Sequence, residues 1–203
     1  MTKPSGVLLI LCGPSGVGKT SIAQALLDRH DDLSMSISYT TRTRRGQEAN
    51  GVDYHFVEES EFEQMKAREA FAEWASVHGN FYGTSTKVIE DAWADGRDLL
   101  FDIDYQGAKQ LKKRYPEATA VLIAPPNFAE LEERLRGRQT DSEEVIRGRL
   151  DAARHELSQY ELFDYLLANV ELEEAIGVAS AIYEAARHEL RLQRTWIEDL
   201  LKE

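Results

Sequence analysis

The stretch that most restricts the fold of this chain is Gly13-Pro14-Ser15-Gly16-Val17-Gly18-Lys19-Thr20, which fits G-x-x-x-x-G-K-[ST] at every fixed position. It follows Val7 to Cys12, a continuous aliphatic run with the pattern of a strand buried on both faces of a parallel sheet. Behind it, Lys19 to Arg29 resumes at helical spacing with Ile22, Ala25 and Leu26 on one side. Strand, glycine-rich turn and helix in this order open an α/β fold. Glycines there let the backbone wrap a phosphate so that consecutive N–H groups point inward, and the following helix adds the positive end of its dipole. Lys19 then reaches the β- and γ-phosphates, and the Thr20 hydroxyl can take a place on Mg²⁺. A nucleoside triphosphate is therefore expected to lie on Gly13, Pro14, Ser15, Gly16, Val17, Gly18, Lys19 and Thr20.

Further strands are predicted at Leu99 to Asp104, Thr119 to Ile123 and Tyr165 to Ala168, with helical patterns at Lys87 to Asp95, Ala108 to Arg114 and Phe128 to Arg138. That alternation favours parallel strands joined by helical crossovers. Ile37 to Gly83 departs from it: short strand-like pieces, glycines and aromatics surround one helical run near Ser60 to Lys66, which reads as a small α+β insert. The segment Phe128 to Tyr160 holds six arginines and no lysine yet also eight carboxylates, so on charge alone it reads as a solvated, salt-bridged helical face. A last helix, Glu171 to about Leu201, ends in Trp196, Ile197, Leu200 and Leu201; core packing is the expected role of these residues, with self-association second.

Composition narrows the function classes. The 203 residues carry 24 Lys+Arg against 36 Asp+Glu, a formal charge of −12. A protein that lives on a nucleic-acid backbone usually shows a basic excess, so no nucleic-acid partner is expected. The run Val7 to Cys12 is too short for a membrane span and lacks the basic flank of a signal peptide, so no membrane partner and a cytoplasmic location are expected. The single cysteine, Cys12, excludes an internal disulfide and a cysteine-built zinc site, and it reads as packing.

A phosphate loop does not say what the phosphate is for. Asp104-Tyr105-Gln106-Gly107 fits the D-x-x-G of a GTPase switch, yet no Asn-Lys-x-Asp that would read guanine in such a protein occurs in the chain. Asp102 and Asp104 stand at the carboxyl end of a buried-type strand, where α/β sheets keep their ligands. Either could hold a metal ion or its water shell, and either could cap the next helix.

Several stretches together resemble the guanylate kinases. They are Ser38-Tyr39-Thr40-Thr41-Arg42, Arg45-Gly46 with Glu48, Asn50 to Phe56, Glu73-Trp74, Gly79 to Thr84 and Asp102 to Gly107. Arg134 to Arg138 with Thr140 to Glu144 is similar to the lid of that family, and the likeness runs in order from about Val7 to Glu174. It implies an α/β fold with a P-loop parallel-sheet core flanked by helices (1–36, 87–127 and 160–203), a GMP-binding insert (37–86) and a helical lid (128–159). It also implies transfer of the ATP γ-phosphoryl group to GMP or dGMP with Mg²⁺, by a monomer or homodimer.

The residues agree with that chemistry. Guanine offers two donors, N1–H and its exocyclic amine, to a carboxylate such as Glu73, while its O6 takes donors such as the hydroxyls of Ser38 and Thr84. Adenine presents the opposite polarity at position 6, so such a pocket would leave buried groups unpaired. Arg42 and Arg45 suit bidentate capture of the acceptor phosphate, closed by the phenols of Tyr54 and Tyr82. By resemblance Glu48 and Asp104 also belong to the GMP site, Arg134 to the ATP site, and Arg138 and Arg149 join Lys19 and Arg42 in catalysis, with Thr20 and Asp102 on Mg²⁺. Two departures stand out. Thr43-Arg44 replaces the proline that often precedes the second phosphate-binding arginine, which leaves Arg44 and Arg45 as alternatives. Ala168-Asn169-Val170-Glu171 stands where the family often reads Val-Asn-Asp-Asp, leaving contacts to the ATP base near Asn169 in doubt. Scaffold domains of this likeness bind peptides and lack parts of the phosphate machinery, whereas this chain keeps it.

Overall fold

The computed structural model describes residues 6–77, 79–137 and 142–202. In chain order the elements are β1 (Leu8–Cys12), α1 (Lys19–Arg29), β2 (Leu33–Met35), β3 (Tyr39–Thr40), β4 (His55–Phe56) and α2 (Glu59–Ala67). Next come β5 (Phe71–Val77), β6 (Asn80–Ser85), α3 (Thr86–Ala94), β7 (Asp98–Asp102), α4 (Tyr105–Arg114) and β8 (Thr119–Ala124). The last are α5 (Phe128–Arg136), α6 (Glu143–Leu157), β9 (Tyr165–Ala168), α7 (Leu172–Arg187) and α8 (Leu190–Leu200).

Five strands form a sheet in the order β2-β7-β1-β8-β9, and every pairing in it is parallel. The unbroken aliphatic run of β1 follows from this position, because both faces of a central parallel strand are covered. Leu9 and Leu11 point into one cluster with Ile22 and Leu26 of α1 and Ala179 and Tyr183 of α7. Leu8 and Ile10 point into the opposite cluster with Ile89 of α3 and Ala108 and Leu111 of α4. The α1 crossover thus leaves β1 on one face, and the α4 crossover passes over β1 to β8 on the other. That reversal opens a crevice at the carboxyl end of β1, where open α/β sheets place their ligands.

The insert forms a second sheet in the order β4-β3-β6-β5, antiparallel except for the β3–β4 pair. Helices α5 and α6 pack on each other through a small separate core of Leu131, Leu135, Ile146 and Ala153.

Several elements differ from expectation. Strands β2 and β5 were not foreseen. Leu33–Met35 is too short and polar to show a period, and the alternation of β5 is broken by a bulge between Phe71 and Glu73. The strand predicted to run to Asp104 stops at Asp102, because Asp104 caps α4 and starts that helix at Tyr105 rather than Ala108. The single C-terminal helix is two, broken where Glu189 turns extended. Beyond the break only Leu192 reaches the core, so core packing does not hold for Trp196, Leu200 and Leu201, which are exposed.

The buried carboxylate of Asp98, at the start of β7, ties α7 to the sheet. It accepts from the Val7 backbone N–H at 2.6 Å and from the Tyr183 hydroxyl at 2.7 Å, with Arg187 Nε at 3.3 Å. Tyr183→Phe leaves this carboxylate short of a donor, and a hydrogen bond to a buried charge is worth ~1–3 kcal/mol. A lower urea midpoint with an unchanged slope is the expected result, and an unchanged midpoint would contradict it.

Candidate active site

The turn between β1 and α1 is shaped by what its glycines leave out. At Gly13, with φ +147°, a Cβ would stand 2.2 Å from the Ile123 carbonyl oxygen; at Gly18, with φ +97°, it would stand 2.4 Å from Asn169 Nδ2. No other residue type fits either place without moving backbone or a buried side chain. Gly18 is the N-cap of α1, so the free N–H groups of the first helical turn open toward the crevice. Asn169, buried just after β9, donates through Nδ2 to the Val17 carbonyl at 2.8 Å and holds the turn from behind.

A cleft of about 400 Å³ opens from this turn to the insert. Gly13 to Gly16, Gly18, Lys19 and Thr20 line one end, and Ser38, Tyr54, Glu73 and Tyr82 line the other. Asp102, Asp104 and Glu156 of α6 line the cleft as well. Most residues singled out in the sequence therefore share one cavity, although long stretches of chain separate them.

Lys19 Nζ donates to the Gly13 carbonyl, which folds its side chain back over the turn. Asp102, the last residue of β7, is exposed and lines the cleft, whose walls crowd it. Desolvation pushes its pKa up, opposed by the Lys19 charge and a hydrogen bond from the Thr20 hydroxyl. Asp104 behaves differently. Its Oδ1 accepts from the Gly107 backbone N–H at 2.9 Å and its Oδ2 from Gln106 Nε2 at 2.9 Å. Of the two carboxylates left open by the sequence, Asp104 is the helix cap and Asp102 is the one turned to Lys19 and Thr20.

Oxygen donors from Thr20 and Asp102 suit a hard cation such as Mg²⁺. Among the described residues no three His, Cys, Asp or Glu side chains gather closely enough to cage a metal ion. A magnesium ion here would keep most of its ligands as water and phosphate oxygens, its usual habit at nucleotides.

At the insert end Glu73 is buried beside buried Thr84 on the paired strand β6. Burial pushes its carboxyl up to about 7, against the pull of the Thr84 hydroxyl and N–H, and the Asp104 charge adds to the rise. Ser38 Oγ lies 3.5 Å from Thr84 Oγ1; Ser38 and Glu73 line the cleft, whereas Thr84 is fully buried next to them. Tyr54 and Tyr82 meet edge to face at 6.0 Å, and the Arg42 guanidinium lies 5.2 Å from the Tyr54 ring centroid.

Arg42 is buried by its partners. Its Nη1 and Nη2 meet Glu48 Oε2 and Oε1 at 3.0 and 2.8 Å, and Nη1 also donates to the Thr43 carbonyl at 2.8 Å. Glu48 Oε2 further accepts from the Arg45 backbone N–H at 2.8 Å. These bonds hold the Glu48 carboxyl below the usual range and raise the Arg42 pKa further. Glu48 thus faces Arg42 and does not line the cleft; it fixes the guanidinium in place. Arg44 and Arg45 are both exposed, and the structure does not draw either into the cavity.

Two arginines of the α5–α6 unit reach the core. Arg149 Nη1 donates to Ser15 Oγ at 3.2 Å, and Arg134 Nη2 donates to the Asn169 carbonyl at 3.2 Å and to Glu130 at 3.2 Å. Arg136, by contrast, pairs with exposed Glu132 and Glu143, the solvated pattern that charge alone implies. Arg138, with Thr140 and Asp141, lies outside the described residues, as does His78. Cys12 is buried with its thiol pushed up to about 12, chiefly by burial, which fits packing.

Sequence reasoning missed Glu156, whose pKa burial raises and the Lys19 charge lowers. It also missed the role of Asn169 behind the turn. Neither position has a local signal, since each gains its meaning from a partner far away in the chain.

A family model described as guanylate kinase matches residues 5–186. A guanylate kinase of Syntrophotalea carbinolica is 51% identical over 174 residues, 86% of this chain and 83% of that protein. One from Neisseria gonorrhoeae is 47% identical over 97% of this chain and 96% of its own. The crystal structure of guanylate kinase from Anaplasma phagocytophilum superposes with a TM-score of 0.76 at 34% identity, covering 94% of this chain and 91% of that one.

Proposed function

Because this chain belongs to the guanylate kinase family and is an enzyme that transfers the γ-phosphoryl group of ATP to GMP, we propose how its residues divide that work. The ATP phosphates lie on the turn from Gly13 to Thr20, with Lys19 on the β- and γ-phosphates. GMP, or dGMP, lies on the insert, its guanine against Glu73, Ser38 and Thr84 and its phosphate against Arg42, Tyr54 and Tyr82. The observation that carries this reading is the single cleft that joins the phosphate turn to the buried Glu73.

The nucleophile is an anionic oxygen of the GMP phosphate, so no general base is required. It bonds to the γ-phosphorus as the bond to the ADP oxygen breaks, and ADP departs with that electron pair. What the protein supplies is alignment, exclusion of water and cations against the γ-phosphoryl charge. Lys19 serves the donor side of the reaction and Arg42 the acceptor side. Arg149, which donates to Ser15, meets the transferring phosphoryl group, joined in that role by Arg138 on family likeness, while Arg134 serves the ATP side. Mg²⁺ held near Thr20 and Asp102 would neutralise phosphate charge.

We divide the chain into a core (1–36, 87–127 and 160–203), a GMP-binding insert (37–86) and a lid (128–159). The separate small core of α5 and α6 supports the lid as a unit able to close, and closure keeps water from taking the phosphoryl group. One chain supplies every group named, so a monomer or a homodimer would serve. A cytoplasmic setting suits an enzyme that draws on ATP, and among the described residues no helix is long and apolar enough to cross a membrane.

A coupled assay for ADP release, run with GMP, dGMP, AMP, CMP, UMP and dTMP in turn, tests the acceptor site. Turnover confined to GMP and dGMP is expected. Equal turnover with AMP would overturn the guanine assignment of Glu73.

A further inference from the structure

We propose that Gly107 is a specificity-determining position: the missing side chain on the first turn of α4 is the seat of the Glu73 carboxylate, and an added methyl group would move that carboxylate out of the guanine pocket. The proposal rests on the reading of Glu73 as the guanine acceptor.

A Cβ built on Gly107 would stand 2.5 Å from Glu73 Oε2, 3.2 Å from Glu73 Cδ and 3.3 Å from Ile103 Cδ1. The first distance is well short of the 3.4 Å at which ordinary contact begins, and the atom met is one of the two oxygens that would accept from guanine. Backbone conformation does not call for a glycine here. Gly107 has no positive φ, sits inside a helix, and gives its N–H to Asp104 Oδ1, all of which alanine would do as well. Alanine is otherwise the better helix former.

The strand cannot back away to relieve the contact, because α4 grips β5 on both sides of Glu73. Gln110 Nε2 donates to the Trp74 carbonyl at 2.7 Å, and Gln110 Oε1 accepts from the Trp74 N–H at 3.3 Å. Arg114 Nη1 donates to the Phe71 carbonyl at 3.2 Å. With the backbone clamped at Phe71 and Trp74, the soft coordinate is rotation of the Glu73 side chain. The helix that carries Gly107 therefore sets the position of the carboxylate as firmly as the strand that bears it.

The test compares Gly107→Ala, Glu73→Ala and the double variant, with Gly177→Ala as the control, since a Cβ at that α7 position meets nothing within 4 Å. KM for GMP, KM for ATP and turnover with AMP are measured separately. Gly107→Ala is expected to raise KM for GMP by about tenfold or more while KM for ATP stays within about twofold, and to narrow the preference for GMP over AMP. In the Glu73→Ala background the same substitution should change nothing, because the atom it meets is gone. An unchanged KM for GMP in Gly107→Ala, beside a raised one in Glu73→Ala, overturns the proposal and leaves the Glu73 reading intact. Equal effects of Gly107→Ala in both backgrounds also overturn it. No effect of Glu73→Ala on GMP overturns the Glu73 reading and the proposal with it. Should Gly107→Ala fail to fold, recovery of folding in the double variant supports the contact, and a double variant that also fails overturns it.

Discussion

Lys19→Ala should lower kcat/KM for GMP phosphorylation by roughly 10³ or more while the protein melts where the wild type does. The magnitude is that of removing one preorganised positive or hydrogen-bonding group from a site where phosphoryl charge develops. Folding should survive because Lys19 is only half-buried and its hydrogen bond goes to a loop carbonyl, that of Gly13. The turn is held instead by packing of Val17, by Asn169 at the Val17 carbonyl and by glycines at Gly13 and Gly18. Steady-state kinetics with a thermal melt check both halves. A loss below about tenfold would place the transferring phosphoryl group away from Lys19.

Glu73→Gln should cost a comparable amount on the other substrate. A buried amide that turns a donor toward guanine N1–H leaves polar groups unpaired on both sides, and sites built on such pairing discriminate by ~10⁴ or more. The loss should fall on kcat/KM for GMP, with KM for ATP near its wild-type value. The wild type should also show a pH dependence that the variant lacks. The carboxyl of free Glu73 is raised to about 7 by burial, and guanine donors favour its ionised form. GMP binding therefore competes with a proton: it is strongest above pH 7 and weakens as the pH falls through 7. From pH 8 to pH 6 the ionised fraction falls by about tenfold, so KM for GMP should rise by up to that factor. The GMP phosphate titrates in the same range, and Glu73→Gln isolates its share, because that part remains in the variant. Identical pH profiles for the two proteins would remove Glu73 from the guanine.

Part of this was open to reading along the chain, and the reason is local. The phosphate turn needs glycines at Gly13 and Gly18 and a lysine at Lys19 within one short segment, and the aliphatic run before it already marks a strand covered on both faces. The ends of α1 and β9 and the start of β8 followed from hydrophobic period and breakers. Ser38, Arg42, Tyr54, Glu73, Tyr82 and Thr84 stood out only because several stretches occur together in a family's order; singly, each would pass for a core or surface residue. The choice between Asp102 and Asp104 was undecided in the sequence, since both sit at a strand end. What the structure adds is that Asp104 caps α4, each of its oxygens accepting a hydrogen bond from that helix.

Other features have no signature along the chain at all. Whether Trp196, Leu200 and Leu201 find the core depends on the direction of α8 after the break at Glu189, and they do not find it. Glu48 turns to Arg42 rather than into the cleft because the loop between them closes on itself through the Arg45 N–H. Asn169 matters because β9 delivers it behind the turn that precedes α1, and Gly107 because α4 clamps β5 at Phe71 and Trp74. Periodicity and turn chemistry act between near neighbours, so the sequence by itself determined the strand–turn–helix proposed to take the triphosphate and the alternation that builds the sheet. Which distant side chains meet, and which of them lose their water in doing so, is decided by packing between elements far apart in the chain, and only the tertiary structure carried that information.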